Sequence, residues 1–319
     1  MGLSVAIQMD KVESLQIAGD TTFALGLEAQ KRGHNLWYYT PDLLSLNEGI
    51  ISARGQELKF YDQVGAHFET GVAKIKSLQN FDIILMRQDP PFDMAYITAT
   101  YLLEMLDPKT MVVNNPAEVR NAPEKLLVTL YPDFMPATLI SRDVQAIKEF
   151  RHKHKDIIVK PLFGNGGAGV FRIQPSDQNL NSLLEMFFCI NHEPVMVQAY
   201  LPAVSNGDKR IILVDGNPVG AVNRIPNEGE VRSNFHVGGI AAKADLTERE
   251  LEICAAIGPE LRRRGLLFVG IDIIGDYMTE INVTSPTGIR EIERLSGTNI
   301  ASMTWDIICL LYTSDAADE

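Results

Sequence analysis

The sequence predicts an α/β protein in two parts: a small open α/β domain over residues 1–121, then a stretch of α+β texture over 122–311. Three observations predict it. The chain opens strand, helix, strand, the start of an α/β layer. Beyond residue 122 short strands alternate with helices and glycine-rich turns appear. The length of 319 residues suits two domains of ordinary size.

The elements follow in order. Residues 3–9 read as a buried strand. Asp20 caps a helix that runs to Arg32 and ends at Gly33. His34 to Tyr39 is the next strand, and 49–61 reads as a hairpin of Ile50–Ala53 and Leu58–Tyr61. Phe81 to Met86 is a buried strand that enters the rigid loop Arg87-Gln88-Asp89-Pro90-Pro91-Phe92-Asp93. A helix to Leu106 and the strand Met111–Asn114 close this first part. In the second part, Asp156–Lys160 and Val170–Ile173 are strands around a glycine loop, and a helix covers 178–190. Val195–Leu201 is strand-like. Lys209–Val214 and Pro218–Ile225 pair around Asp215-Gly216-Asn217. A polar loop of about 226–242, a helix over 247–264 and two strands, Leu267–Ile274 and Met278–Val283, follow. A helix spans Ile300–Leu311, and residues 312–319 read as an appended, non-native tail.

Composition excludes whole classes. Hydrophobic residues make up 45% and charged residues 22%, too apolar for a disordered chain. The net charge of −12 argues against nucleic-acid binding, which needs a clustered basic face. It leaves room for a small anionic substrate held in a locally positive site. Three scattered cysteines, Cys189, Cys254 and Cys309, give neither a disulfide framework nor a CxxC metal site. With no basic leader and no apolar run of about 20 residues, the expectation is a cytoplasmic chain with no membrane contact.

The chemistry starts at Gly164-Asn165-Gly166-Gly167-Ala168-Gly169. A Rossmann fingerprint would open a helix here. Instead Val170-Phe171-Arg172-Ile173 follows, β-branched and aromatic, hence a strand. That weakens a nicotinamide dehydrogenase reading. Such a turn either closes a hairpin or lets backbone N–H groups approach phosphates. Lys160 ends the strand entering the loop, and Lys125 opens the second part; both can reach phosphates as point charges.

Asp272 sits in the otherwise apolar Val269–Ile274, and a buried carboxylate needs a partner or a metal. Glu280 and Asn282 are two apart on the next strand, so they share a face. Their oxygens suit Mg²⁺; the alternative is a satisfied polar strand edge. The metal reading expects a three-residue loop, 275–277, which pairs Asp272 with Glu280 directly. A two-residue turn would pair 272 with 279. Asp208-Lys209-Arg210, Arg224, Arg232 and Arg290 supply groups for carboxylates or phosphates. HExxH, GxSxG, Walker and kinase sequences are absent. The chain is built to position charge rather than to form a covalent side-chain intermediate.

In order and type, Lys125, Lys160, the glycine loop, Gln198–Leu201, Asp208-Lys209-Arg210 and Asp272 with Glu280-Ile281-Asn282 resemble the ATP-grasp ligases. The stretches 86–93, 207–210, 269–276 and 279–287 resemble the bacterial glutathione synthetases, and the likeness covers 3–311. The resemblance implies an open, Rossmann-like α/β pre-ATP-grasp substrate domain (1–121) and an ATP-grasp fold of two α+β subdomains, a lid (about 122–200) and a central part (about 201–311). It implies ATP-dependent ligation of γ-glutamylcysteine to glycine through an acyl phosphate, giving glutathione, ADP and phosphate. ATP would be held by Lys125, Lys160, Gly164, Asn165, Gly166, Gly167, Gly169, Gln198, Tyr200, Leu201 and Asp208. Mg²⁺, with Mn²⁺ as an alternative, would sit on Asp272, Glu280 and Asn282. Arg210 would be catalytic, and Arg87, Arg224, Arg232, Asn234, Ser285 and Thr287 would bind substrate. It also implies a homo-oligomer. Other readings are a D-alanine–D-alanine or glutamate ligase of the same superfamily, and a non-catalytic ATP-binding scaffold.

Overall fold

The computed structural model describes residues 2–227 and 238–315. Three sheets carry the fold. The first contains β1 (Ser4–Gln8), β2 (Asn35–Tyr39), β3 (Leu44–Asn47), β4 (Ile50–Phe60), β5 (Phe68–Thr70), β6 (Lys74–Ser77), β7 (Ile83–Met86) and β8 (Met111–Val113). Its order is β3-β4-β2-β1-β7-β8, with β5 and β6 also on β4. The strands β2, β1, β7 and β8 are parallel. They are linked through α1 (Thr21–Lys31) and α2 (Met94–Glu104). Both helices begin where a carboxylate takes an otherwise unmet N–H: Asp20 accepts from Phe23 N at 2.6 Å and Asp93 from Tyr96 N at 2.9 Å.

The expected hairpin at 49–61 is instead one strand, β4. It runs unbroken past Gly55, where a Cβ would lie 2.5 Å from the Trp37 ring. The hairpin turn lies earlier, at Glu48-Gly49, both with positive φ, and joins β3 to β4.

The second sheet has β9 (Thr138–Ser141), β10 (Ile157–Pro161), β11 (Phe171–Ile173) and β12 (Val195–Ala199), in the order β11-β10-β12-β9. It is entered through the short helices α3 (Pro116–Arg120) and α4 (Glu124–Leu127) and packed by α5 (Val144–His154) and α6 (Leu180–Ile190). The third sheet has β13 (Asp208–Val214), β14 (Asn217–Ile225), β15 (Ile240–Lys243), β16 (Phe268–Ile274) and β17 (Tyr277–Asn282), in the order β15-β14-β13-β16-β17. Three helices complete the chain: α7 (Glu248–Arg263), α8 (Ile289–Ser296) and α9 (Ile300–Asp315).

Two apolar cores join the first and third sheets. One unites Trp37, Ile84 and Leu103 with Ile211, Ile271 and Ile257. The other unites Val5, Phe23 and Leu85 with Ile212, Ile292 and Trp305. The second sheet keeps a separate core around Ile147, Val159, Leu184, Phe187 and Val197.

The C-terminal helix differs from expectation. It does not stop at Leu311 but continues to Asp315. Tyr312 Oη donates to Asp82 Oδ1 at 2.6 Å, which ties this turn to the first sheet. Burial would raise the Asp82 carboxyl, but hydrogen bonds from Tyr312 and Ser4 hold it below its usual value.

Candidate active site

The third sheet places its polar side chains by strand alternation. On β13 the odd residues Ile211 and Leu213 enter the core under α7, so Asp208 and Arg210 face the other way. Arg210 lies opposite Asp272, and Asp208 opposite Arg224. Asp272 in turn lies opposite Glu280, and Gly270 opposite Asn282. Four strands thus bring one band of charge to one face.

The expected three-residue loop at 275–277 is not what achieves this. Ile274 pairs with Tyr277 around the two-residue turn Gly275-Asp276. A bulge between Asp272 and Ile273 leaves Thr279 as the extra residue and restores the Asp272–Glu280 pairing. Thr279 Oγ1 donates to Asp272 O at 3.2 Å across it.

The band is a lattice of buried opposite charges. Arg210 grips Asp272 with two nitrogens, one at 2.9 Å, and its Nη1 donates to Thr287 O at 3.3 Å. Arg224 Nη2 reaches Asp208 at 2.6 Å and Asp272 at 2.9 Å. Glu280 Oε1 lies 3.5 Å from Lys125 and 3.6 Å from Lys160. Asn282 Nδ2 donates to Asp272 Oδ2 at 3.4 Å.

Burial shifts every pKa against charge, and the neighbours decide the outcome. Asp272 overcomes burial through Arg210 and Arg224 and stays well below the carboxylate range. Glu280 does the same through Lys125 and Lys160. Asp208 does not: burial raises it to about 6 although Arg224 opposes the rise. Burial also lowers the Lys160 ammonium, against the pull of Glu280.

The second sheet covers this lattice with the glycine loop. Gly166, Gly167 and Gly169 have φ of 60, 79 and 71°, a conformation that side-chain-bearing residues rarely adopt. Lys125 Nζ donates to Gly164 O at 2.6 Å and so pins the loop over the lattice. At the far wall the Arg172 guanidinium lies 3.6 Å from the centre of the Tyr200 ring and is itself held by Asp156 at 2.6 Å. Tyr200 N donates to Asp156 O at 3.0 Å. Gln198 Nε2 donates to Thr138 Oγ1 at 3.0 Å.

A cleft of about 560 Å³ runs between the sheets. Of the sequence-predicted residues it gathers Arg87, Lys125, Lys160, Gly164, Asn165, Gly166, Gly167, Gln198, Tyr200, Leu201, Asp208, Arg210, Arg224, Asp272, Glu280, Asn282, Ser285 and Thr287. Gly169 is not among its lining residues; it turns against Pro161 at the loop's base. Arg232 and Asn234, with most of the 226–242 loop, lie outside the described residues.

Sequence reasoning missed part of the lining. Asp10, Asp20, Glu124 and Glu291 all face the cleft. Asp20 carried a signal, but it was that of a helix cap. Glu124 stands next to Lys125 and accepts from Thr284 Oγ1 at 2.8 Å. Its carboxyl is raised by burial and by Glu280.

Comparison with known proteins closes the description. Residues 3–120 match the family model for the prokaryotic glutathione synthetase N-terminal domain, and 124–297 match its ATP-grasp domain. The chain is 59% identical over 308 residues to a glutathione synthetase of Brucella melitensis biotype 1, covering 97% of this chain and 99% of that one. It is 44% identical over 310 residues to one of Pseudomonas putida, covering 97% and 98%. Among solved structures, the D-cycloserine synthetase DcsG superposes with a TM-score of 0.67 at 15% identity, covering 95% of this chain and 98% of that one. An ATP-grasp RimK domain protein of Sphaerobacter thermophilus gives 0.63 at 17%, with the same two coverages. These structural likenesses speak for the fold.

Proposed function

The chain belongs to the prokaryotic glutathione synthetase family and is an ATP-dependent ligase; from that premise we propose how its cleft divides the work of joining γ-glutamylcysteine to glycine. The observation that carries the reading is the alternating lattice of Arg210, Arg224, Asp272, Glu280, Lys125 and Lys160 beneath the glycine loop. It is a site rich in fixed charge, with no cysteine or histidine among its described lining residues.

Lys125 and Lys160 take the phosphates of ATP, and the glycine loop closes over them with backbone N–H groups. Backbone at Tyr200 and Leu201 receives the adenine, with Gln198 and Asp208 completing the nucleotide pocket. The cysteine carboxylate of the dipeptide attacks the γ-phosphorus, and ADP leaves. The glycine amine then attacks the acyl phosphate carbon, and phosphate leaves with the former carboxylate oxygen. Arg210 reaches this region from the lattice and neutralises the charge that develops on the transferring phosphoryl group and on the tetrahedral oxygen. Arg224 stands behind it for the substrate carboxylate, and Ser285 and Thr287 line the dipeptide end.

The residues also fit Mg²⁺, with Mn²⁺ as the alternative. Asp272, Glu280 and Asn282 offer two carboxylates and an amide on one face. Among the described residues no group of three or more His, Cys, Asp or Glu side chains is placed to hold a metal ion on its own. Substrate phosphates would supply the remaining oxygens, as is usual for Mg²⁺ on one or two carboxylates. When bound, the ion would neutralise β- and γ-phosphate oxygens.

The test is ADP release with Mg²⁺, ATP, γ-glutamylcysteine and glycine, omitting each component in turn. The expected result is release that needs all four, with glutathione formed. Release with another pair of amino acids would move the substrate within the superfamily, and binding of ATP without release would leave a scaffold.

A further inference from the structure

Joining glycine to an acyl phosphate leaves a proton to account for. Glycine arrives as an ammonium, which has no lone pair for attack, and its nitrogen keeps only one of three protons in the amide. One of the two it loses departs with phosphate, and the other needs a base beside the reacting carbon. The lattice carboxylates are already paired. Asp272 is held by Arg210 and Arg224, Asp208 by Arg224, and Glu280 lies between Lys125 and Lys160. Glu124 is different. It lines the cleft, half-buried, and its side chain has one hydrogen bond among the described residues, a neutral one from Thr284 Oγ1 to Oε1 at 2.8 Å. Its neighbour Lys125 turns instead to Gly164 O and Glu280. No cation stands at ion-pair distance from Glu124 among the described residues.

The fold sets this carboxylate at the reacting end of the cleft. Leu127 and Val128, on and after α4, share a core with Ile281 and Val283, which holds α4 against β17. Glu124 thereby meets Thr284, two residues beyond that strand. Thr284 opens the segment Thr284-Ser285-Pro286-Thr287, and Thr287 O accepts from Arg210 Nη1 at 3.3 Å. Three residues span at most about 10 Å, so Glu124 and Arg210 hold the two ends of one short segment. The charged and titratable groups facing Glu124 are Lys125 on its own helix, Glu280 on β17, Arg210 on β13 and Tyr96 on α2. Burial and Glu280 raise its carboxyl above the usual value, against Lys125, Thr284 and Arg210. That makes it a stronger proton acceptor than a surface glutamate.

We propose that Glu124, set between Lys125 and Arg210 and oriented by Thr284, is the catalytic base that takes a proton from the ammonium of the incoming glycine. The proposal rests on the ligase reading above. Thr284 occupies Oε1 and leaves Oε2 for the ammonium. The proton passes from nitrogen to the carboxylate, the freed lone pair forms the C–N bond, and the C–O bond to phosphate breaks. The second nitrogen proton goes to the departing phosphate, and Glu124 returns its own to water. The step needs no group beyond those already in the reaction. It also gives the attacking amine a fixed approach, from the α4 side of the cleft, while Arg210 neutralises the tetrahedral oxygen from β13.

The experiment compares two nucleophiles on the full chain with Mg²⁺, ATP and γ-glutamylcysteine. Glycine must lose a proton before it attacks; hydroxylamine is already neutral at pH 7 and traps the acyl phosphate as a hydroxamate without a base. Glu124→Gln keeps the shape and the bond from Thr284 but accepts no proton. It is expected to cost on the order of 10²-fold in kcat with glycine, and at least about 10-fold more than it costs with hydroxylamine. Its remaining glutathione rate should climb about 10-fold per pH unit above pH 7, following the free amine of glycine, more steeply than that of the wild type. Glu124→Asp carries the same comparison if the Gln variant does not fold. A difference between the two nucleophiles smaller than about 10-fold, whether both rates fall or neither does, overturns the assignment, because a structural role would weigh on both alike. If the wild type yields neither glutathione nor hydroxamate, the ligase reading falls and takes this proposal with it. If the wild type yields both and only the variant's selective loss is missing, the proposal alone falls.

Discussion

The two walls of the cleft are built differently. The five-stranded wall that carries Asp208, Arg210, Asp272 and Glu280 shares both large cores with the N-terminal sheet. The four-stranded wall that carries the glycine loop has a core of its own. Among the described residues its ties across the cleft include Lys125 to Gly164 O, Lys160 to Glu280, and Phe163 stacked on Phe92 with ring centres 6.1 Å apart. A region with its own core and few apolar ties moves as a body at small cost. The contrast teaches that the charge lattice belongs to the wall anchored in both large cores. In the proposed mechanism the cover over the phosphates belongs to the wall with a core of its own, which suits a water-excluding lid.

The comparison breaks first, if it is wrong, at Arg210. Arg210→Met should lower kcat by about 10³-fold or more with KM for ATP little changed. Because Arg224 still faces Asp272, the loss of stability should sit near the low end for a broken buried pair, about 3 kcal/mol by urea melts. On the opposite wall, Lys160→Met should show the reverse pattern. We expect KM for ATP to rise about 10-fold to 100-fold, with a smaller change in kcat. A fall in kcat alone at Lys160 would erase the distinction between the walls. Phe163→Ala removes one stacking contact of about 0.5–1.5 kcal/mol. It should raise KM for ATP several-fold while lowering the melting temperature by no more than a few degrees.

The smallest effect sharpens the rigid side. Tyr312→Phe removes a hydrogen bond to Asp82, worth about 1 kcal/mol at this partly exposed position. Asp82 has a depressed pKa in the folded protein, so its contribution is present above the ordinary carboxylate pKa and is lost as pH falls through the folded value. The variant and wild type should therefore differ in urea stability at pH 7, and the difference should shrink as pH falls below the ordinary carboxylate pKa.

Much of the fold and the site was legible in the sequence, for definable reasons. The parallel strands of the first sheet are short apolar runs with clear turn residues, and Asp20 and Asp93 mark helix starts chemically. The lattice was legible because Asp272 interrupts an apolar run, and Glu280 and Asn282 stand two apart. What failed was local geometry decided by distant partners. The stretch 49–61 looked like a hairpin because nothing nearby says that the Trp37 ring will pack against Gly55 in its middle. The bulge at Thr279 left no mark in composition, so the right pairing was reached through the wrong loop. Tyr312 looked like tail because its partner, Asp82, is 230 residues away. Asp20 went unread as a lining residue for a similar reason: a capping Asp and a cleft Asp are the same letter.

The most direct test of the mechanism is oxygen transfer. γ-Glutamylcysteine labelled with ¹⁸O in its cysteine carboxylate should deliver one labelled oxygen to inorganic phosphate for each glutathione formed. Phosphate leaves the acyl phosphate carrying the carboxylate oxygen that attacked the γ-phosphorus. Glutathione formation with unlabelled phosphate would contradict the acyl phosphate route, and with it the catalytic role of Arg210 and the charge lattice.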